Sequence, residues 1–160
     1  MIDESMRQVL RNRYELASYI YRAVRDELGE DKALQVVGKG WTNWACDQTA
    51  AFARSVPKND MAAWADRLKK ANTIDVEVQE ETEDRLKIKV TRCLHYDVLQ
   101  ELGVPELCTV YCDSDYETAK AYNSNMAMTR EHEIPRGNPI CDHNWFMRRR
   151  WNRSEPWREE

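Results

Sequence analysis

The sequence predicts an α+β domain in which N-terminal helices pack on an antiparallel sheet, built from two hairpins with two intervening helices. Residues 4–72 repeat apolar residues at helical intervals, with charged residues between them. Residues 73–147 instead hold two pairs of strand-like segments separated by a helical pattern. The 160-residue length and the 42 % content of hydrophobic residues suit a single core. We therefore expect one domain over residues 1–147, with a helical part (1–72) and a part that carries the sheet and the site (73–147).

The first two helices follow from the apolar spacing and from glycines. The first is predicted over residues 4–28, and Gly29 suits its end. The second begins near Asp31 and continues past two internal glycines, Gly38 and Gly40. Glycine inside a helical pattern indicates a kink or a close contact with another helix, and both alternatives stay open here.

A third short helix and the first hairpin come next. Asn59 or Asp60 is a suitable N-cap for a helix over residues 61–71. Residues 74–78 and 86–90 then alternate apolar and charged side chains, with a polar turn between them. The outward charges are acidic on the first strand and basic on the second, which predicts antiparallel pairing.

The second half of the sheet part repeats this order. A short apolar stripe ends at Gly103, and Pro105 suits the first turn of a helix that continues to about Tyr122. Residues 125–134 and 140–147 are predicted to be the strands of a second hairpin, joined by a turn rich in proline, glycine and asparagine.

Composition limits the classes of partner. The net charge of −4 argues against nucleic acid as the main partner, since phosphate binding requires clustered positive charge. The basic residues at 148–160 are interpreted as a polar C-terminal tail. No segment resembles a signal peptide or a membrane span, so we expect a soluble, cytoplasmic protein with no membrane partner. Five cysteines without a secretion signal are expected to stay reduced.

Groups capable of catalysis are concentrated between residues 92 and 146, which hold four of the five cysteines and all three histidines. Cys112 and Asp115 share one face of the predicted helix, where the carboxylate can act as a base. Cys141 and His143 share one face of the last strand. A cysteine beside a histidine is either an activated thiol or half of a metal site. Simple packing of each cysteine beside a solvated polar group is the alternative.

Other polar and aromatic residues allow two interpretations each. Arg130 either clamps a substrate carboxylate or pairs with a glutamate across the sheet. Trp41 and Trp44 belong to the core or to a pocket wall. His95 and His132 have no evident partner in the sequence and are expected to be surface groups. No C-x-x-C pair is present, so no structural zinc site is predicted, although a divalent metal held by Cys, His and Asp stays an alternative.

Four runs in this region resemble the L-2-amino-thiazoline-4-carboxylic acid hydrolase family: E-L-G-V-P-E-L, C-D-S-D-Y, N-S-N-M-A-M-T-R and G-N-P-I-C-D. The positions that match the family pattern are Cys93, Asp97, Cys112, Asp115, Asn123, Arg130, Gly137, Cys141 and Asp142. The chain departs from it at Ser124, where proline is common, at Glu131, where threonine usually follows the arginine, and at His143, where phenylalanine is usual. The change beside Cys141 bears on the substrate more than on the fold.

The resemblance implies hydrolysis of a carbon–nitrogen bond in a small cyclic amidine such as a thiazoline, without a cofactor. On the matching positions we expect Cys112 or Cys141 as nucleophile, Asp115 as base and Arg130 binding the substrate carboxylate. His143, which departs from the family pattern, is our own candidate for the proton donor. The other matching positions expected to bind substrate are Asn123, Cys93, Asp97 and Asp142, and Trp41 and Trp44 join them as a candidate pocket wall. A non-catalytic sensor of the vinyl-reductase type, which binds a small molecule or metal in the same cavity, is the alternative, and a homodimer stays open.

Overall fold

The computed structural model of the protein describes residues 1–148, so all but the first residue of the predicted C-terminal tail lies outside the described part. It confirms the α+β fold. The helices are α1 (Met6–Leu28), α2 (Glu30–Ser55), α3 (Met61–Lys69), α4 (Leu94–Glu101) and α5 (Leu107–Tyr122). The strands are β1 (Ile74–Glu81), β2 (Arg85–Cys93), β3 (Met126–Thr129) and β4 (Cys141–Met147).

The four strands form one antiparallel sheet in the order β1-β2-β4-β3, which confirms both hairpins. The predicted charge pairing is present, since Glu77 lies opposite Lys89 and its Oε2 atom is 3.2 Å from Lys89 Nζ. Strands β2 and β4 join the two hairpins. Their register pairs Cys141, His143 and Trp145 with Val90, Ile88 and Leu86. Because strand side chains alternate between faces, these residues lie on the face that meets the helices.

Strand β3 is shorter than predicted, because the chain leaves the sheet after Thr129. The backbone N–H of Glu131 donates to Asp142 Oδ1 at 3.1 Å, and that of Glu133 donates to Asn138 Oδ1 at 3.0 Å. These side-chain acceptors replace the backbone partners that a longer strand would need. Pro135, which has no N–H, then enters a short 3-10 turn.

The helices begin and end close to the predicted positions, and their caps explain why. Gly29 adopts a φ of 83° between α1 and α2. Helix α2 passes its glycines without a break, and a Cβ atom at Gly38 would lie 3.1 Å from Val110 Cβ, so this glycine permits close packing on α5. Asp60 caps α3, accepting from Ala63 N–H at 3.1 Å. Among residues 1–148, no helix is both long and apolar enough to cross a bilayer.

Two buried apolar clusters make up the core, and α5 runs through both. Leu107 and Tyr111 in its first half pack with α1, α2 and α4. Ala119 and Tyr122 near its end pack with α3 and the sheet. The middle of α5 therefore lies at the junction of the two clusters, where a cavity opens.

Candidate functional site

A cavity of about 430 Å³ lies between the two apolar clusters. Side chains from all five helices and from β1, β2 and β4 line it. Aromatic rings form much of the wall: Trp41 lies 4.1 Å from Tyr111 and 4.8 Å from Trp44, measured between ring centroids. The volume and the mainly apolar wall are typical of a pocket for a small molecule.

The cavity brings together most of the residues singled out in the sequence. They are Cys93, Cys112, Asp115, Cys141, His143, Trp41 and Trp44. These residues come from α2, the end of β2, α5 and β4. The local pairs Cys112–Asp115 and Cys141–His143 thus line the same cavity. The first pair follows helical spacing and the second follows strand spacing.

Three other predicted substrate-binding residues do not line the cavity. Asn123 donates from Nδ2 to a backbone carbonyl of the α2–α3 loop at 2.8 Å. Asp97 pairs with Arg92, with 2.9 Å between Asp97 Oδ2 and Arg92 Nη2. Asp142 accepts from the backbone N–H groups of residues 131–132. In this structure all three side chains hold loops and helix ends in place.

The alternative of a metal site has one geometric candidate among the described residues. Potential ligand atoms of Glu131, His132 and Asp142 lie within 4.8 Å of one another. Glu131 and His132 are exposed, the group is outside the cavity, and one Asp142 oxygen already accepts two backbone hydrogen bonds. This group of residues therefore gives no reason to place a metal ion in the cavity.

Arg130 lies behind the cavity wall rather than in it, with none of its side chain exposed. Its Nη1 atom donates to Asp115 Oδ2 and to His143 Nε2, both at 3.0 Å, and Nε lies 3.1 Å from Glu133 Oε1. Burial lowers the pKa of Arg130, but the neighbouring Asp115, Cys112 and Glu133 outweigh it and raise the pKa overall. The guanidinium is thus turned toward protein carboxylates behind the wall, although its Nη2 atom has no hydrogen-bond partner within residues 1–148. Its role as a clamp for the substrate carboxylate stays a prediction.

Asp115 presents a carboxylate to the cavity from the middle of α5. Its side chain is 37 % exposed, and Asp115 is one of the residues that line the cavity. Burial raises the pKa of Asp115 to about 6, although Arg130 opposes the rise. A carboxylate with a pKa just below neutral is ionised at pH 7 and still basic enough to take a proton from a reacting group.

His143 is a neutral imidazole. Burial and the positive charge of Arg130 lower its pKa to about 3. Because a guanidinium only donates, Nε2 accepts from Arg130 and the ring proton is assigned to Nδ1. His143 therefore carries no imidazolium proton near neutral pH, and its role as a proton donor stays a prediction. The ring can instead offer a neutral N–H, since Nδ1 has no hydrogen-bond partner within residues 1–148.

The cavity cysteines differ in their tendency to form thiolates. Burial raises the pKa of Cys141 to about 12, although its sulfur accepts a hydrogen bond from Ile134 N–H at 3.1 Å. The neighbouring Cys108 thiol, together with the backbone N–H groups at the start of α4, lowers the pKa of Cys93 against the effect of burial. The pKa of Cys108 is raised in turn by Cys112 and Cys93. Cys141 is therefore protonated at neutral pH.

One polar network in the cavity wall was not predicted. Tyr14 OH lies 2.5 Å from His95 Nδ1, and His95 Nε2 lies 2.9 Å from Thr73 Oγ1. Burial lowers the pKa of His95 to about 4, with a further contribution from Arg13. The expectation that His95 is a surface group is wrong, because the partners that hold it inside are 81 and 22 residues away in the sequence. No local pattern marks such contacts.

The buried state of His95 predicts a pH-dependent stability. Its pKa is about 4 in the folded protein and about 6.5 in an unfolded chain. Only the unfolded state gains a proton between these values, so the free energy of unfolding falls as the pH drops from 6.5 to 4. We expect His95→Gln to reduce this loss by up to about 3 kcal/mol. Urea unfolding at pH 7 and pH 4.5 measures it, and an equal loss in both proteins would contradict the prediction.

Comparison with known proteins agrees with the motifs. No curated protein matches the chain. The family model described as L-2-amino-thiazoline-4-carboxylic acid hydrolase matches residues 10–145, a range that begins within α1, ends within β4 and includes all of the cavity residues discussed. The family's name implies a hydrolase. The chain therefore belongs to the L-2-amino-thiazoline-4-carboxylic acid hydrolase family.

Proposed function

We propose that the protein hydrolyses a small cyclic amidine that carries a carboxylate, of the 2-amino-thiazoline-4-carboxylate type. Membership of the family supports the reaction class. The observation that carries the proposal is Asp115, an ionised carboxylate with a pKa of about 6, located in an aromatic cavity of about 430 Å³. That volume accommodates a five-membered ring with its substituents.

Asp115 acts as the general base. The amidine carbon of the ring is electrophilic because it is bonded to nitrogen and sulfur. Asp115 takes a proton from a water molecule, whose oxygen attacks this carbon and forms a tetrahedral centre. Collapse of that centre breaks the bond from this carbon to the ring nitrogen, which gives S-carbamoyl-cysteine, or the bond to the ring sulfur, which gives N-carbamoyl-cysteine. The proton held by Asp115 passes to the nitrogen or sulfur that leaves. Arg130 contributes by holding the carboxylate, since its Nη1 donates to Asp115 Oδ2.

Neutral donors around the cavity support binding of a polar ring. Within residues 1–148, four buried donors on the wall have no protein partner. They are His143 Nδ1, Trp64 Nε1, Tyr111 OH and Trp145 Nε1. Such donors can bind ring heteroatoms or the negative charge that develops in the tetrahedral centre. His143, the departure from the family pattern, thereby adds an N–H group that phenylalanine lacks.

The cysteines are assigned to the cavity wall rather than to covalent catalysis. Cys141 has a pKa of about 12, so little thiolate is present at neutral pH. We expect Cys112→Ser and Cys141→Ser each to change turnover by less than about 10-fold, below the range for loss of a general base. Turnover and intact-protein mass after rapid quenching measure this. A stable adduct on Cys112, or loss of turnover in one serine variant, would instead identify that cysteine as the nucleophile.

The direct test is incubation of the purified protein with 2-amino-thiazoline-4-carboxylate. We expect loss of the ring and formation of a carbamoyl-cysteine, detected by mass spectrometry. The metal content and the thiol reactivity of the same preparation provide a second readout. Binding of the ring without any turnover would contradict the hydrolase proposal and favour the sensor, as would stoichiometric metal held by the cysteines.

A further inference from the structure

The cavity contains a positive charge that the protein does not neutralise. Two arginines line it, Arg13 on α1 and Arg67 on α3. Within residues 1–148, neither forms an ion pair with a carboxylate, whereas Arg130 and Arg136 each lie within 3.1 Å of a carboxylate oxygen. Arg67 is the more enclosed of the two, because it lies between Phe52 and its own helix.

The contacts of Arg67 fix its position without using most of its hydrogen-bonding capacity. Its guanidinium carbon lies 4.8 Å from the centre of the Phe52 ring and 5.2 Å from that of Trp64. Nη1 donates to the buried Thr49 Oγ1 at 3.3 Å. A guanidinium has five N–H donors, so the remaining donors are available to a ligand. Stacking on aromatic rings holds the group in one plane, which favours two-pronged binding of a carboxylate.

Burial lowers the pKa of Arg67, which indicates that its charge is poorly compensated. A cation removed from water without a counterion is unfavourable, and an anion in the cavity would relieve this. Arg13 differs, since its guanidinium carbon stacks 5.3 Å from the centre of the exposed Trp44 ring. It lies at the mouth of the cavity and Arg67 in the wall.

We infer that Arg67 binds the carboxylate of the ligand, the role that the sequence assigns to Arg130. The inference rests on the proposed function, which supplies the class of ring. It adds the residue that makes the protein prefer a ring with a carboxylate. The cavity then offers opposite charges from two elements, Arg67 on α3 and Asp115 on α5. A zwitterionic ring matches both: its carboxylate binds Arg67, and its amidinium nitrogen lies near Asp115. Neutral or purely cationic rings lack the first contact.

Binding of non-reacting rings tests this without turnover. Thiazolidine-4-carboxylate has no amidine carbon, and thiazolidine-4-carboxamide differs from it only in charge. We expect the wild type to bind the acid about 10–100-fold more tightly than the amide, the range for one charge-assisted contact. Arg67→Gln should abolish this preference, and Arg67→Lys should keep part of it. Arg54→Gln, at an exposed position on α2 outside the cavity, is the matched control and should bind as the wild type does.

Calorimetry measures the affinities, and melting temperatures show that each variant is folded. If Arg67→Gln is unstable, the inference is still tested by Arg67→Lys and by the comparison of acid and amide binding in the wild type. A wild type without preference for the acid overturns the inference, and so does a full preference in Arg67→Gln. A wild type that prefers the acid but never opens the amidine ring retains the inference and refutes the proposed hydrolysis. Turnover with an unchanged KM in Arg67→Gln supports the proposed hydrolysis and overturns the inference about Arg67.

Discussion

Replacement of Asp115 by asparagine should reduce turnover of 2-amino-thiazoline-4-carboxylate by about 10²–10⁴-fold, the usual contribution of a general base. Asparagine keeps the size of the side chain and an oxygen for Arg130 Nη1, but it cannot accept a proton. Steady-state kinetics measure the loss. Asp113→Asn is the matched control, because Asp113 is two residues earlier on α5, is 51 % exposed and pairs with Arg136 outside the cavity. It should keep turnover close to that of the wild type.

The pH profile adds a readout that a purely structural role would not produce. Because burial raises the pKa of Asp115 to about 6, kcat/KM of the wild type should fall below pH 6, about tenfold per pH unit, as the base becomes protonated. His143, with a pKa of about 3, does not titrate in this range. The residual activity of Asp115→Asn should lack this fall. Unchanged turnover in the variant, or a fall at pH 6 that persists in it, would refute the role of Asp115.

Replacement of Arg130 by leucine should lower the free energy of unfolding by about 3 kcal/mol, because it leaves neighbouring carboxylates without their buried partner. The Arg130 side chain has no exposed surface, and Glu133 is only 10 % exposed. Arg136→Leu is the matched control: that arginine also pairs with Glu133, but it is 48 % exposed, so its loss should cost less than about 1 kcal/mol. Urea unfolding of the three proteins at pH 7 measures the difference.

Kinetic measurements on Arg130→Leu distinguish two roles for Arg130. As a support for Asp115, its removal raises the pKa of that carboxylate further, so the fall in kcat/KM should move to a pH above 6 in any folded fraction. As a substrate clamp, its removal would raise KM and leave the free energy of unfolding nearly unchanged. A raised KM with a nearly unchanged free energy of unfolding would show that Arg130 binds the substrate carboxylate and does not mainly support Asp115.

Features that depend on neighbouring residues could be predicted from the sequence. Gly29 ends α1 because a positive φ suits glycine, and Asp60 caps α3 through an oxygen three residues from the N–H it accepts. The charges of Glu77 and Lys89 indicated the pairing of β1 with β2. Residue spacing also placed Cys112 beside Asp115, and Cys141 on the same strand face as His143.

Tertiary structure decided the length of β3 and the chemistry of the charged groups. Asp142 and Asn138 take the backbone donors that would have extended β3, and a strand pattern contains no sign of that competition. The neutral state of His143 and His95 and the raised pKa of Asp115 depend on burial among elements distant in the sequence. The family motifs and local periodicity thus determined the fold class and the region of the candidate site. Which arginine pairs with Asp115 and which lines the cavity was decided only by packing, because the neighbours of each guanidinium come from elements distant in the sequence.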